Sequence, residues 1–249
     1  WRPSSIANFS WRLKFLKCEE RSVETDCSGF LPWYSTRRTK PLYDEDDSLE
    51  GSLSRLHPTL SLFLDTGAYL KGHFRLTSGL HSPEYLQCAL VLSHPQHAES
   101  LGRELAQALP LSGNGTPQTV VSPALGGVVI GHEVARALGV RFIFTERDSE
   151  GKMTLRRGFT VTPGERCVVI EDVITTGGST REVVECLQSA GAHVLAAGSI
   201  IDRSAGQASV GVPRVALCEM QVTAWKPEEC PLCAQGIPVV KPGSRPTAG

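Results

Sequence analysis

Val168-Val169-Ile170-Glu171-Asp172-Val173-Ile174-Thr175-Thr176-Gly177-Gly178-Ser179-Thr180 is the stretch whose reading decides the fold. With Cys167 in front of it, Val168-Val169-Ile170 is apolar without alternation, as expected of a strand buried on both faces of a parallel sheet. Glu171 and Asp172 fall where that strand is expected to end, and an amphipathic helix is expected to open at about Arg181. Ligands of open α/β sheets bind outside the carboxyl ends of strands, so chemistry is expected here.

Each residue type in the turn has a physical use. Glycines let the chain turn sharply and bring bare N–H groups close to an anion. A helix start adds unsatisfied donors and a positive dipole end, and the hydroxyls of Thr175, Thr176, Ser179 and Thr180 add side-chain donors. Together these residues make a cradle for one phosphate. Two acids just before it suit a phosphate only when something lies between, such as a sugar whose hydroxyls they accept or a divalent cation. A ribose 5-phosphate fits both halves. The run has neither the Gly-Lys-Ser/Thr of a Walker A loop nor the GxGxxG of dinucleotide folds.

This thirteen-residue run resembles the phosphoribosyl-pyrophosphate (PRPP) signature of type I phosphoribosyltransferases. Further resemblances lie outward from it in both directions. Gly72-His73-Phe74-Arg75-Leu76-Thr77-Ser78-Gly79-Leu80-His81-Ser82-Pro83-Glu84-Tyr85-Leu86-Gln87 reads as a hairpin, with strands at 74–76 and 85–87 and a turn at Ser78-Gly79. It resembles the hood segment of one member of that class, the orotate phosphoribosyltransferase family, in which the Phe strand covers the pyrimidine. Thr145-Glu146-Arg147, then Gly151-Lys152-Met153-Thr154-Leu155-Arg156-Arg157-Gly158-Phe159, resembles the mobile catalytic loop of the same family, which closes over the partner subunit's site. By charge alone this run is a solvated loop, but its cations suit a substrate carrying phosphate, pyrophosphate and carboxylate.

Elsewhere the periodicity places a helix through Leu60, Leu62, Phe63, Leu64 and Tyr69, ending near Gly67, and another from His94 or Pro95 through Leu109. Val120-Val121-Ser122 is a short buried strand that runs into Ala124-Leu125-Gly126-Gly127 and a helix over 128–138 closed by Gly139. This is a second turn suited to an anion, and the family's equivalent loop faces pyrophosphate. Residues 141–145 form the next strand, placing the cationic loop between two central strands. Helix 182–190 and strand 192–201 follow, with Asp202-Arg203 at the carboxyl end. That pair is either a surface salt bridge or a ligand site, and an Arg fork there could hold a planar carboxylate. A last strand spans 215–220.

The 249 residues suffice for one domain with appendages, and 25 Lys+Arg against 26 Asp+Glu offers no basic stripe for nucleic acid or a membrane surface. No apolar stretch approaches the ~20 residues that span a bilayer. Among eight cysteines, Cys88, Cys167, Cys186 and Cys218 lie in apolar segments without the spacing of a disulfide framework. Reduced thiols and a cytoplasmic setting are therefore expected. Cys230-x-x-Cys233 has no second CxxC or HxxxH to complete a zinc site. Cys218 could be a third ligand, but the balance is against a protein-held metal.

The expected architecture is α/β, a doubly wound, mainly parallel sheet with a small N-terminal hood. Residues 1–55 read as an extension outside the fold and 56–245 as a phosphoribosyltransferase domain. Its hood lies at about 56–92, its core at about 93–220, and a tail spans 221–249. The resemblance implies transfer of a ribosyl 5-phosphate from PRPP to orotate, with Mg²⁺ held mainly through pyrophosphate and a homodimer sharing the lid. It further implies that Glu171, Asp172 and Thr175–Thr180 bind PRPP together with Arg147 and Lys152. Lys152, Arg156 and Asp172 are the implied catalytic groups, while Phe74, Thr175 and Arg203 are implied to hold orotate. Two family lysines are replaced, by Thr77 in the hood and Gly126 in the pyrophosphate turn. The rival readings are a transferase for another base and a non-catalytic nucleotide sensor.

Overall fold

Buried β-branched runs separated by amphipathic helices dictate the layers. The computed structural model describes residues 57–242, apart from Thr77, Ser112 and Asn114. The expected extension at 1–55 and the substitution at Thr77 lie outside the described residues. The chain runs through α1 (Pro58–Asp65), β1 (Tyr69–Arg75), β2 (His81–Leu86), α2 (Cys88–Leu92) and α3 (Pro95–Ala108). It continues through β3 (Thr119–Pro123), α4 (Gly127–Leu138), β4 (Arg141–Arg147), β5 (Met153–Leu155) and β6 (Arg166–Ile174). It ends with α5 (Gly178–Ser189), β7 (His193–Asp202), β8 (Arg214–Glu219), a 3₁₀ turn at Pro227–Glu229 and α6 (Pro231–Ala234).

Strands β5-β4-β3-β6-β7-β8 form one sheet in that order, and β1 with β2 forms a separate antiparallel ribbon. All neighbours in the large sheet are parallel except β4 and β5. β6 is central, so its carboxyl end opens on the sheet's middle. Helices cover both faces. Val120, Val168 and Ile170 pack with Leu101, Leu105 and Ile130 of α3 and α4. The alternate residues Val121, Cys167 and Val169 pack with Val183 and Leu187 of α5 on the other face. This two-residue alternation is the pleat read through packing. Gly131 lets α4 approach closely, since a Cβ there would meet Ser122 Oγ at 2.0 Å.

Several expectations change. Tyr69 belongs to β1, because α1 stops at Asp65 with Gly67 in the left-handed region at φ 64°. The hairpin strands are longer than 74–76 and 85–87. β6 does not end at the acid pair but continues to Ile174, where it still pairs with β7. The next helix opens at Gly178 rather than about Arg181. The cationic run is not all loop, since Met153–Leu155 pairs antiparallel with β4 as an edge strand. Along the chain it does connect two interior strands, β4 and β6, while β5 itself forms the sheet's edge.

The tail closes back on the hairpin. Trp225 and His81 exchange N–H···O bonds at 2.8 Å in both directions. Arg75 N–H donates to Val240 O, and Val240 N–H to His73 O, again at 2.8 Å. This return corrects the reading that Cys230-x-x-Cys233 lacks companions. His73 and His81 of the ribbon lie with it, all four potential ligand atoms within 4.8 Å of one another. The two histidines bring the potential ligands to four, a gathering that spacing within the tail could not reveal.

Candidate active site

The alternation of β6 separates the two acids. Glu171 follows the α5 face and Asp172 the face of α4 and the ribbon. Thr180, buried at the start of α5, donates its hydroxyl to Glu171 Oε2. Removal from water dominates at Glu171 and pushes its carboxyl up to about 7. The nearby Asp172 charge acts in the same direction, while the Thr180 bond and Arg147 pull it back. Asp172 is raised as well, again chiefly by loss of water, against backbone N–H groups of Val173 and Asp172 that favour its charge. Two carboxylates short of water suit polar hydroxyls or a cation.

Beyond Ile174, Thr175 and Thr176 are exposed and Gly177 turns at φ 76°, ψ 6° to begin α5. A side chain at Gly177 would be strained by that φ and would meet Val210 Cγ1 at 2.9 Å. No side chain caps α5. The first-turn N–H groups lack intrahelical acceptors and emerge beside the Thr and Ser hydroxyls, a set of donors suited to an anion.

The turn Ala124-Leu125-Gly126-Gly127 follows β3, and its Ala124–Leu125 peptide is cis. Leu125 is exposed, and a Cβ at Gly126 would lie 2.7 Å from both carboxylate oxygens of Asp172. A Cβ at Gly127 would meet Ile170 O at 2.9 Å. The two expected anion loops therefore adjoin through bare backbone at Asp172. The glycine at 126 is a steric condition for that acid's position.

On the other side of Asp172 stands the ribbon. The Phe74 ring is buried, with its centroid 5.8 Å from that of Tyr85. Tyr85 lies in the fields of Asp172, Cys88 and Arg203, though burial is the larger cause of its raised pKa. Arg203, half-buried, is lowered by loss of water and supported by Tyr85 and Glu84. Its buried Nε has no hydrogen-bond partner among the described residues. A planar carboxylate would satisfy that orphan.

Asp202 and Arg203 are not a surface pair. Asp202 is fully buried and accepts from Ser204 N at 2.7 Å, Ser204 Oγ at 2.6 Å and Arg214 Nη1 at 2.5 Å. Burial works to raise its pKa, but these donors outweigh it and hold the carboxyl low. Asp202 is an anchor, and its backbone neighbour is left to face the ribbon.

The cations of residues 146–158 divide into two groups. Arg147 donates to Glu182 Oε2 at 2.7 Å and to Gly151 O, tying the hairpin to α5. Arg157 forms a fork with Glu146 at 2.7 and 2.9 Å. Lys152 and Arg156 are exposed and stand in no ion pair among the described residues.

The phosphoribosyl transferase domain family matches residues 91–229. The chain is 56% identical over 186 residues to an orotate phosphoribosyltransferase of Heliobacterium modesticaldum, covering 75% of this chain and 96% of that one. It is 55% identical, over equal shares, to the enzyme of that name from Pelotomaculum thermopropionicum. The chain belongs to the orotate phosphoribosyltransferase family.

Solved structures agree on the family's fold. Orotate phosphoribosyltransferase from Aeropyrum pernix superposes with a TM-score of 0.52 at 24% identity, covering 64% of this chain and 92% of that one. UMP synthase from Leishmania donovani gives 0.55 at 22%, over 66% and 36%. Within the family frame, the structure brings Glu171, Asp172, the 175–180 turn, the 124–127 turn and Arg203 to one end of the sheet. Sequence reasoning missed Tyr85. Its aromatic character is ordinary for a strand, and only the fold shows Asp172 and Arg203 acting on it.

Proposed function

We infer that the protein is an orotate phosphoribosyltransferase. It transfers the ribosyl 5-phosphate group of PRPP to a ring nitrogen of orotate, giving orotidine 5′-phosphate and pyrophosphate. The orphaned Nε of Arg203 is the observation that carries the base assignment, because Arg203 acts on Tyr85, as Asp172 does, and its Nε asks for a planar anion. Family membership carries the PRPP half.

In this reading the cradle of Thr175, Thr176, Gly177, Gly178, Ser179 and Thr180 holds the 5-phosphate. Glu171 and Asp172 accept from the ribose hydroxyls. As the bond from the anomeric carbon to pyrophosphate breaks, positive charge grows on the ribosyl group and the nearby carboxylates stabilise it. The ring nitrogen then supplies the electron pair of the new bond. Phe74, Thr175 and Arg203 orient orotate. The 124–127 turn faces pyrophosphate, and Lys152, Arg156 and Arg147 close over it and exclude water. Arg147 must exchange its Glu182 partner for phosphate oxygens in doing so.

The hard oxygen donors Glu171 and Asp172, both held short of water, fit Mg²⁺. When bound, mainly through pyrophosphate and water, the ion neutralises charge on the leaving group. Lys152 and Arg156, exposed and in no ion pair among the described residues, are free to reach a partner's site in a homodimer. Buried free thiols at Cys88, Cys167 and Cys218 favour a cytoplasmic setting. Among the described residues no helix is long and apolar enough to cross a membrane.

Base competition tests the assignment. Orotate should be consumed with PRPP and Mg²⁺, whereas uracil, which lacks the carboxylate, should be a far poorer substrate. Equal turnover of the two would remove Arg203 from its role.

A further inference from the structure

We propose that His73, His81, Cys230 and Cys233 form a tetrahedral Zn²⁺ site that fastens the C-terminal tail to the β1–β2 ribbon. The donor set is two imidazoles and two thiols, which selects zinc among common divalent ions. With Zn–S of about 2.3 Å and Zn–N of about 2.0–2.1 Å, a tetrahedron has S···N edges of about 3.5 Å and an N···N edge of about 3.3 Å. The structure has Cys230 Sγ···His73 Nε2 at 3.4 Å, Cys233 Sγ···His73 Nε2 at 3.8 Å and Cys233 Sγ···His81 Nδ1 at 3.3 Å. His73 Nε2···His81 Nδ1 is 2.9 Å. These four edges lie within about 0.4 Å of the tetrahedral values, and all four ligand atoms lie within 4.8 Å of one another.

The surroundings orient the ligands. His73 Nδ1–H donates to Ile237 O at 2.7 Å, which leaves the Nε2 lone pair facing the cluster. A carbonyl on the far nitrogen is the usual support of a metal-binding imidazole. The ribbon's register shifts between Lys71 and Phe74, so His73 and Phe74 are both buried although they are consecutive. A bulge of this kind re-aims a side chain. Cys230 is the N-cap of α6 and Cys233 lies within it, and Ala234 N–H donates to Cys230 O. His73, His81 and Cys230 are buried and Cys233 is exposed, so an ion could enter from the Cys233 side. With four protein ligands and no open position, the site is structural and separate from the PRPP machinery. It joins ligands 157 residues apart in sequence, where the tail is also held by backbone hydrogen bonds and by bonds from the side chains of His73 to Ile237 O and of Ser82 to Thr223 O.

The test is the metal content of full-length protein isolated under reducing conditions without added chelator. About one zinc per chain is expected, and stripping it should lower the melting temperature, with recovery on adding Zn²⁺. Cobalt titrated into the stripped wild-type protein should give the intense visible bands of a tetrahedral thiolate site. The Cys230→Ser/Cys233→Ser variant should lose both signals. Because cobalt is read on wild-type protein, a variant that fails to fold does not remove the test. Reduced, folded protein that binds neither zinc nor cobalt would overturn the proposal. So would a mass two hydrogens light, showing a Cys230–Cys233 disulfide as the native state.

Discussion

Glu171 and Asp172 are neighbours in sequence, yet the pleat sends them to different surroundings. For Glu171 the folded pKa of about 7 lies above its ordinary 4.5, so the folded state binds this proton more tightly than the unfolded chain. Its contribution to stability therefore falls as pH rises from about 4.5 to about 7, measurable as a declining melting temperature of the ligand-free protein. Asp202 has the opposite sign, its contribution being full above its ordinary pKa and lost only as pH drops through the lowered value. If Glu171 accepts from the ribose hydroxyls as proposed, it acts charged, and kcat/KM should climb with an acid limb near pH 7. Thr180→Val removes the donor that favours the charged form, and should move that limb to higher pH. An unmoved limb would assign it to another group. Arg203→Met should raise the KM for orotate by the worth of a charge-assisted bond, about 1.5–3 kcal/mol, with PRPP binding little changed. Restoring the family's lysine as Gly126→Lys should impair rather than help, because its Cβ displaces the Asp172 carboxylate. Steady-state kinetics with both substrates checks both variants.

At the level of elements, β6 and its turn were legible because each residue there answers one local demand. Val168–Ile170 are apolar for two packed faces, and Gly177 is required by a positive φ. Strand length was not legible, since Glu171 and Asp172 read as polar terminators although β7 continues to pair beside them. The lid shows the same limit. Its charges spoke for loop, while Met153 buries and Thr154 pairs with Glu146 to make a short strand. Lys152 and Arg156 project from this hairpin, exposed and in no ion pair among the described residues. Lys152→Ala and Arg156→Ala should therefore keep the melting temperature while cutting kcat by about 10²–10³-fold, the usual scale for removing a group that stabilises developing charge. A fall in kcat matched by loss of folded protein would instead make the lid cations structural.

Across the whole molecule, contacts distant in sequence escaped the reading. Tyr85 comes under the fields of Arg203 and Asp172, and His73 meets Cys230, only after the tail and ribbon return to the sheet and to each other. The fold class was legible, because alternating buried strands and amphipathic helices allow few arrangements. The homodimer has its own test in mixed subunits. Lys152→Ala and Asp172→Asn proteins, each inactive, should regain about a quarter of wild-type activity when randomly reassorted, if each lid serves its partner. No recovery would confine the lid to its own chain. The central claim rests on one assay, the fall in orotate absorbance on adding PRPP and Mg²⁺ to wild-type and Asp172→Asn protein. Consumption of orotate that requires both additions and drops by orders of magnitude in the variant is the expected result. Folded wild-type protein that leaves orotate untouched, or a variant that turns over at the wild-type rate, would contradict it.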